Sequence, residues 1–195
     1  MIQQIFSTPI FITKLPNHEK VKEQFLPFLK DNKYFAKAEG WHGNLDTTFP
    51  NEPVNELPWQ DFFSSAVNVA AEFIKEIGVI NNVQFHGTAW LNRYYNGNYQ
   101  EIHNHIGNNN AISCAYMLEL PNESGNFVFF KEGQDFWNDS IRQLCHDFDY
   151  SNRYTPKLEE GDIVFFPSNL SHYVTYNNSN NRRATISANF KVVQA

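Results

Sequence analysis

The spacing of apolar positions changes character near residue 80. Before it, between Asn55 and Gly78, apolar residues recur at intervals of three and four, at Phe62, Ala66, Val69, Phe73 and Ile77. Phe63, Ala70 and Ile74 widen the stripe. This is one face of a helix, and Gly78 is a natural stop. Nearer the start, Thr8 to Ile12 is an apolar piece that reads as a strand. Asn17 is placed to cap a short helix running to about Asp31, with Val21, Phe25 and Phe28 or Leu29 on one face. The stretch Glu39 to Pro58 is rich in Gly, Asn, Asp and Pro and reads as a long ordered loop or lid. From Val83 onward the pattern is short strands and turns. Strands are expected over 84–95, 99–104, 111–120, 126–130, 161–166, 170–176 and 183–193. Asn96-Gly97, Gly107-Asn108 and Asn122 to Gly125 punctuate them. So many short strands at this spacing predict a sandwich or jelly roll with flanking helices, a mainly β class. The interval 131–160 breaks the rhythm and reads as an insertion between two core strands that covers one end.

Composition narrows this picture. With 195 residues the chain is expected to be a single domain, with an N-terminal strand and supporting helices over 1–82 and a jelly-roll core over 83–193. Aromatic residues make up 16% of the chain, including 18 Phe, which favours strands. The formal net charge is -6 and Arg182-Arg183 is the one strong basic doublet, so a nucleic-acid-binding face is not expected. No apolar run is long enough to span a bilayer. The opening MIQQIFSTPIFITKLP lacks a basic n-region and a small-residue cleavage site. Cys114 and Cys145 show no C-x-x-C spacing, which points to a reducing cytoplasm rather than a disulfide scaffold.

The chemistry gathers between Gln84 and Leu120 and again after Gly161. His103 and His105 are separated by one residue, so in an extended strand their imidazoles share a face. Imidazole is the commonest protein ligand for iron, zinc, copper and nickel. A third ligand must come from elsewhere, and His172 follows the strand and Pro turn of GDIVFFPSNLSH. Arg183 comes eleven residues after His172, and Asn189-Phe190 lies further along the same strand. Ser171-His172 invites a hydrolase reading, but no G-x-S-x-G elbow occurs.

This order resembles the Fe(II)/2-oxoglutarate-dependent oxygenases, whose fold is a double-stranded β-helix. It is most similar to a prolyl-hydroxylase-like subgroup of bacteria and phages. That subgroup's pattern runs H-x-H, a Ser-x-x-Tyr strand, G-D-x-V-x-F-P-S, a distal His, then an Arg strand ending in Asn-Phe. Each piece occurs here in order. The resemblance implies iron ligands at His103, His105 and His172, and Arg183 on the distal carboxylate of 2-oxoglutarate. It further implies Tyr116 donating to that carboxylate and Tyr95 lining the co-substrate pocket. Fe(II) and 2-oxoglutarate would be the cofactor and co-substrate, with ascorbate as an accessory reductant. The implied activity is a hydroxylase that releases succinate and CO2. Its substrate would be a small molecule or a protein side chain, with no nucleic-acid or membrane partner. A homodimer stays open.

The family usually has a carboxylate where this chain has His105. A three-histidine site, ligation by Glu101 instead of His105, and two protein ligands plus water are therefore all open. So is a different class of function, a cupin-like metal-binding or jelly-roll binding or structural protein without oxygenase turnover. Arg183 separates the classes, because such a protein needs no buried cation on that strand. Trp41, Trp90, Asn92 and Trp137 are candidate substrate contacts.

Overall fold

A computed structural model describes residues 7–51, 55–79, 82–133 and 152–195. Its elements are β1 (Phe11–Lys14), α1 (His18–Phe25), β2 (Asp46–Thr47), α2 (Trp59–Glu76), β3 (Val83–Tyr94), β4 (Gln100–His103), β5 (Ile112–Glu119), β6 (Phe127–Phe130), β7 (Arg153–Tyr154), β8 (Asp162–Pro167), β9 (His172–Val174) and β10 (Arg183–Gln194). The strands form a six-stranded sheet in the order β1-β8-β5-β10-β3-β2 and a four-stranded sheet in the order β4-β9-β6-β7. All pairings are antiparallel. This is the jelly roll expected from the strand spacing.

The alternation of side chains sorts the large sheet into two faces. One face carries Leu91, Cys114, Tyr116, Leu118, Phe165, Ile186 and Phe190, packed with Phe62, Ala66, Val69 and Phe73 of α2. The other face turns inward. There Tyr94, Ala115, Met117, Val164 and Phe166 meet Phe127, Phe129 and Val174 of the small sheet. The predicted stripe of α2 thus covers the outside of the barrel. Truncating a fully buried member such as Phe62 to Ala should cost about 3–5 kcal/mol. Ile77, the last predicted stripe position, is 49% exposed at the helix end, where Gly78 takes φ 94° and stops the helix.

Four elements differ from expectation. The first strand runs Phe11–Lys14, later than Thr8–Ile12, because it pairs with β8 in the register Phe11 to Phe165 through Lys14 to Asp162. α1 ends at Phe25, with short 3-10 turns at Phe28–Lys30 and Asn32–Tyr34 in place of one helix to Asp31. Pro27 has no N–H with which to continue the ladder. Asn17 makes no capping bond and instead donates to the carbonyl of Asp61 at 3.2 Å. The Glu39–Pro58 stretch contains β2, which pairs Asp46 with Arg93 and Thr47 with Asn92. The expected insertion contributes β7 to the small sheet, opposite Phe129 and Phe130. Residues 134–151, including Trp137 and Cys145, lie outside the described residues. Among the described residues no helix is long and apolar enough to cross a membrane.

Candidate metal centre and co-substrate pocket

The small sheet pairs His103 of β4 directly opposite His172 of β9. β4 ends at His103, yet the next residues stay extended beside the turn after β8. The amide of His105 donates to the carbonyl of Ser168 at 2.8 Å. The i, i+2 geometry therefore survives past the strand end. The ligand atoms of His103, His105 and His172 all lie within 4.8 Å of one another. Ring centroids are 5.3 Å apart for His103–His105, 4.3 Å for His103–His172 and 4.9 Å for His105–His172.

Each imidazole is held by its Nδ1. His103 Nδ1 lies 2.8 Å from the carbonyl of Glu101, and His172 Nδ1 lies 2.9 Å from the carbonyl of Leu170. A carbonyl only accepts, so both Nδ1 atoms carry the proton and both Nε2 atoms are bare. His105 Nδ1 lies 2.7 Å from Asn189 Oδ1. Burial, then repulsion from His103, pushes the His105 pKa down to about 4. Burial lowers those of His103 and His172 as well. The three rings are thus neutral at pH 7, the state a metal requires. Three neutral imidazoles suit a divalent first-row ion. The lone pair of His103 Nε2 faces the Gln100 amide at 3.3 Å. Glu101 is not part of the cluster. Its Oε1 accepts from the backbone N–H of His42 at 3.0 Å.

The inward face beyond the triad is polar. Arg183 is fully buried and Tyr94 nearly so, and the guanidinium carbon lies 5.6 Å over the Tyr94 ring. Tyr94 donates to Gln100 Oε1 at 2.8 Å. A line of contacts thus runs from Arg183 through Tyr94 and Gln100 to His103. Arg183 donates to the carbonyl of Gly125 at 2.7 Å and faces Met117 Sδ, but its Nε has no partner. Among the described residues no carboxylate pairs with it, and burial lowers its pKa to about 10. It still carries its charge at pH 7. Arg182, on the other face, is bound through two nitrogens by Glu119 at 2.8 and 3.0 Å.

The structure does not bring Tyr116 or Tyr95 beside Arg183 and the triad. Tyr116 points outward, against Phe62 of α2, with its hydroxyl 2.5 Å from His18 Nδ1. Ala115 and Met117 hold the inward positions on either side of it. Tyr95 is 43% exposed at the strand end. Its neighbour Tyr94 takes the inward position, paired across the strands with Arg183. In both cases strand parity decides, and a shift of one residue reverses the face. Tyr116→Phe should therefore leave 2-oxoglutarate affinity unchanged in a titration. It should lower stability by about 0.5–1.5 kcal/mol, through loss of the bond to His18.

A cavity of about 590 Å³ opens over His103 and His105. Trp41, Phe49 and Trp90 form one wall, with ring centroids 5.2 Å apart at each step. The wall touches His103 through Trp41 and His105 through Trp90. Asn104, Asn108 and Asn110 line the rim. Trp90 Nε1 is buried without a partner. Asn92 faces inward but donates to Ser187 Oγ at 3.1 Å.

A protein-family model described as "Putative 2OG-Fe(II) oxygenase" matches residues 88–189, over half the chain. The chain belongs to this family. No curated protein sequence matches it. Among solved structures, this oxygenase chain is similar to a prolyl-4-hydroxylase from Pseudomonas putida, at TM-score 0.62 and 9% identity over 95% of this chain and 93% of that one. It is similar to EvdO2 from Micromonospora carbonacea var. aurantiaca complexed with 2-oxoglutarate, at TM-score 0.60 and 17% identity over 97% and 89%. It is also similar to SnoN, an alpha-ketoglutarate-dependent epimerase from nogalamycin biosynthesis, at TM-score 0.60 and 13% identity over 96% and 79%. Identities this low establish a shared fold. Fe(II) and 2-oxoglutarate are the cofactor and co-substrate of the family.

Proposed function

We propose that this protein is a 2-oxoglutarate-dependent dioxygenase that hydroxylates a C–H bond of a small molecule or protein side chain, forming succinate and CO2. The observation that carries the reading is Arg183. Among the described residues it is a guanidinium with no exposure, no carboxylate partner and an unbonded Nε, and a line of side-chain contacts through Tyr94 and Gln100 links it to His103 of the histidine cluster. A buried cation left unbalanced is costly unless a ligand completes it. A dicarboxylate that reaches from a metal to Arg183 supplies the missing charge, and the planar guanidinium suits its far carboxylate. A metal-binding protein without oxygenase turnover has no use for that cation.

In this reading His103, His105 and His172 hold Fe(II), whose role when bound is to activate dioxygen with electrons from the keto acid. Tyr94 and Gln100 line the co-substrate beside Arg183, in the place first expected for Tyr95 and Tyr116. With His103 Nε2 engaged by a metal, the Gln100 amide N–H that now faces it would be free to donate to the co-substrate. The Trp41–Phe49–Trp90 wall holds the substrate's apolar face over the open side of the site. It also keeps bulk water away from the reacting centre. The protein would work in a reducing compartment, where Cys114, a buried free thiol, stays reduced.

The test is succinate formation. The protein is incubated aerobically with Fe(II), ascorbate and 2-oxoglutarate, and succinate is measured. Slow uncoupled turnover without any primary substrate is expected, and it should vanish in Arg183→Ala at the same co-substrate concentration. Absence of turnover together with absence of 2-oxoglutarate binding in calorimetry sinks the reading.

A further inference from the structure

Three residues of the sequence pattern have no part in the co-substrate reading: Ser113, Ser168 and Asn189. The fold brings all three to His105. Ser113 comes from β5, Ser168 from the turn after β8 and Asn189 from β10. Ser113 Oγ lies 2.8 Å from Asn189 Oδ1, 2.8 Å from Ser168 Oγ and 3.0 Å from His105 Nδ1. His105 Nδ1 lies 2.7 Å from the same Asn189 oxygen. Ser113 and Ser168 are buried, so water does not substitute for these bonds.

With the Asn189 amide oxygen turned toward both His105 and Ser113, the proton count of this network closes in one way. Asn189 Oδ1 only accepts, and a hydroxyl has a single proton to donate. Ser113 gives its proton to Asn189 Oδ1 and accepts from Ser168. It then has none left for His105. The proton between His105 and Asn189 must therefore sit on His105 Nδ1, which leaves Nε2 bare and aimed at the other two rings. His103 and His172 obtain the same result from backbone carbonyls two residues before them. His105 obtains it from side chains alone.

We propose that Asn189, held by Ser113 and Ser168, is the positioning residue that sets the tautomer and ring orientation of His105 and so makes this a three-histidine metal site. The inference rests on the three-histidine reading above. It explains why a histidine works where the family usually has a carboxylate. The network offers acceptors at this place, and an acceptor needs an N–H facing it. A carboxylate at 105 would instead need Asn189 to turn its amide N–H toward it. His105 and Asn189 are a matched pair.

The test is metal titration of the intact protein, with Fe(II) under anaerobic conditions and Co(II) as an optical probe. Asn189→Leu keeps the size and removes the acceptor. It should weaken binding roughly 10- to 100-fold, the usual effect of losing a partner of a metal-bound histidine. Asn189→Asp keeps an oxygen at the same place and should bind at least as tightly as the parent. In His105→Ala the further change Asn189→Leu should cost nothing more, since there is no ring left to orient. Nitrogen-detected NMR of the metal-free protein should show His105 as the Nδ1–H tautomer in the parent and a mixture in Asn189→Leu. A purely structural residue would lower Tm but leave metal affinity and tautomer unchanged. If Asn189→Leu binds Fe(II) as tightly as a parent that binds it well, the inference fails and the metal site stands. If the parent itself binds neither ion, the metal reading fails and takes this inference with it.

Discussion

Arg183→Ala should weaken 2-oxoglutarate binding by about 30-fold to several-thousand-fold and leave Fe(II) binding nearly intact. The range follows from the roughly 2–5 kcal/mol typical of removing one partner of a buried, hydrogen-bonded charge pair, at about 1.4 kcal/mol per decade. Arg183→Lys should fall between, because a point charge lacks the planar two-donor grip. Arg182→Ala should have little effect on the co-substrate, since Arg182 is engaged by Glu119 on the opposite face. The readout is the charge-transfer absorption of a metal-chelated keto acid, titrated anaerobically. A second measurement guards against misfolding. Among the described residues Arg183 is a buried charge without a counter-ion, so replacing it with an apolar side chain of similar length should not lower stability. Arg183→Met should therefore match or exceed the parent's Tm without ligand. It should also lose the Tm rise that 2-oxoglutarate gives the parent. Equal 2-oxoglutarate affinity in Arg183→Ala and parent would place the co-substrate elsewhere.

Metal content should fall from stoichiometric to none in His103→Ala, and likewise in His172→Ala. The ion would be held by three monodentate neutral nitrogens, and two of them alone would bind it too weakly to keep it through reconstitution. His103 is half-buried at the cavity floor, so its truncation should leave the fold intact. His172 is 3% exposed and packed by Phe127, Phe129 and Phe166, so its loss also opens a hole in the barrel core. A modest drop in Tm is expected there and not for His103→Ala. His105→Ala should lose metal as well, whereas Glu101→Gln should keep it, because the Glu101 carboxylate is tied to the His42 backbone. Elemental analysis after reconstitution decides between them. Metal retained in His105→Ala but lost in Glu101→Gln would reverse the assignment of the third ligand.

Most of the strand plan is legible in the sequence itself. The interval 84–95 became β3 at Val83–Tyr94, and 183–193 became β10 at Arg183–Gln194. These strands are long, apolar on at least one face and bounded by turn residues, so local chemistry alone defines them. Strands β2 and β7 have two residues each, and no periodicity can mark so short a segment. They exist because a neighbouring strand offers unpaired backbone groups. The pairing of His103 with His105 was equally local, since period-two geometry needs no partner. The inward direction of Arg183 and the outward one of Arg182 follow from the same alternation once the strand is placed.

What only the tertiary structure decided is which face of each strand looks inward, and what lies across from it. Tyr94 and Tyr95 are adjacent in sequence and chemically identical, and only the register against β10 sets Tyr94 beside Arg183. Tyr116 lost the site to Met117 and Ala115 by the same parity, and α2 claimed it for the outer core. The fate of Glu101 depended on the backbone of His42, fifty-nine residues away. The network of Ser113, Ser168 and Asn189 joins two strands and a turn around one imidazole. Each of those residues is unremarkable in its own segment. A sequence specifies alternation because alternation is a property of one strand. It does not specify opposition, because opposition belongs to pairs of strands brought together by long-range folding.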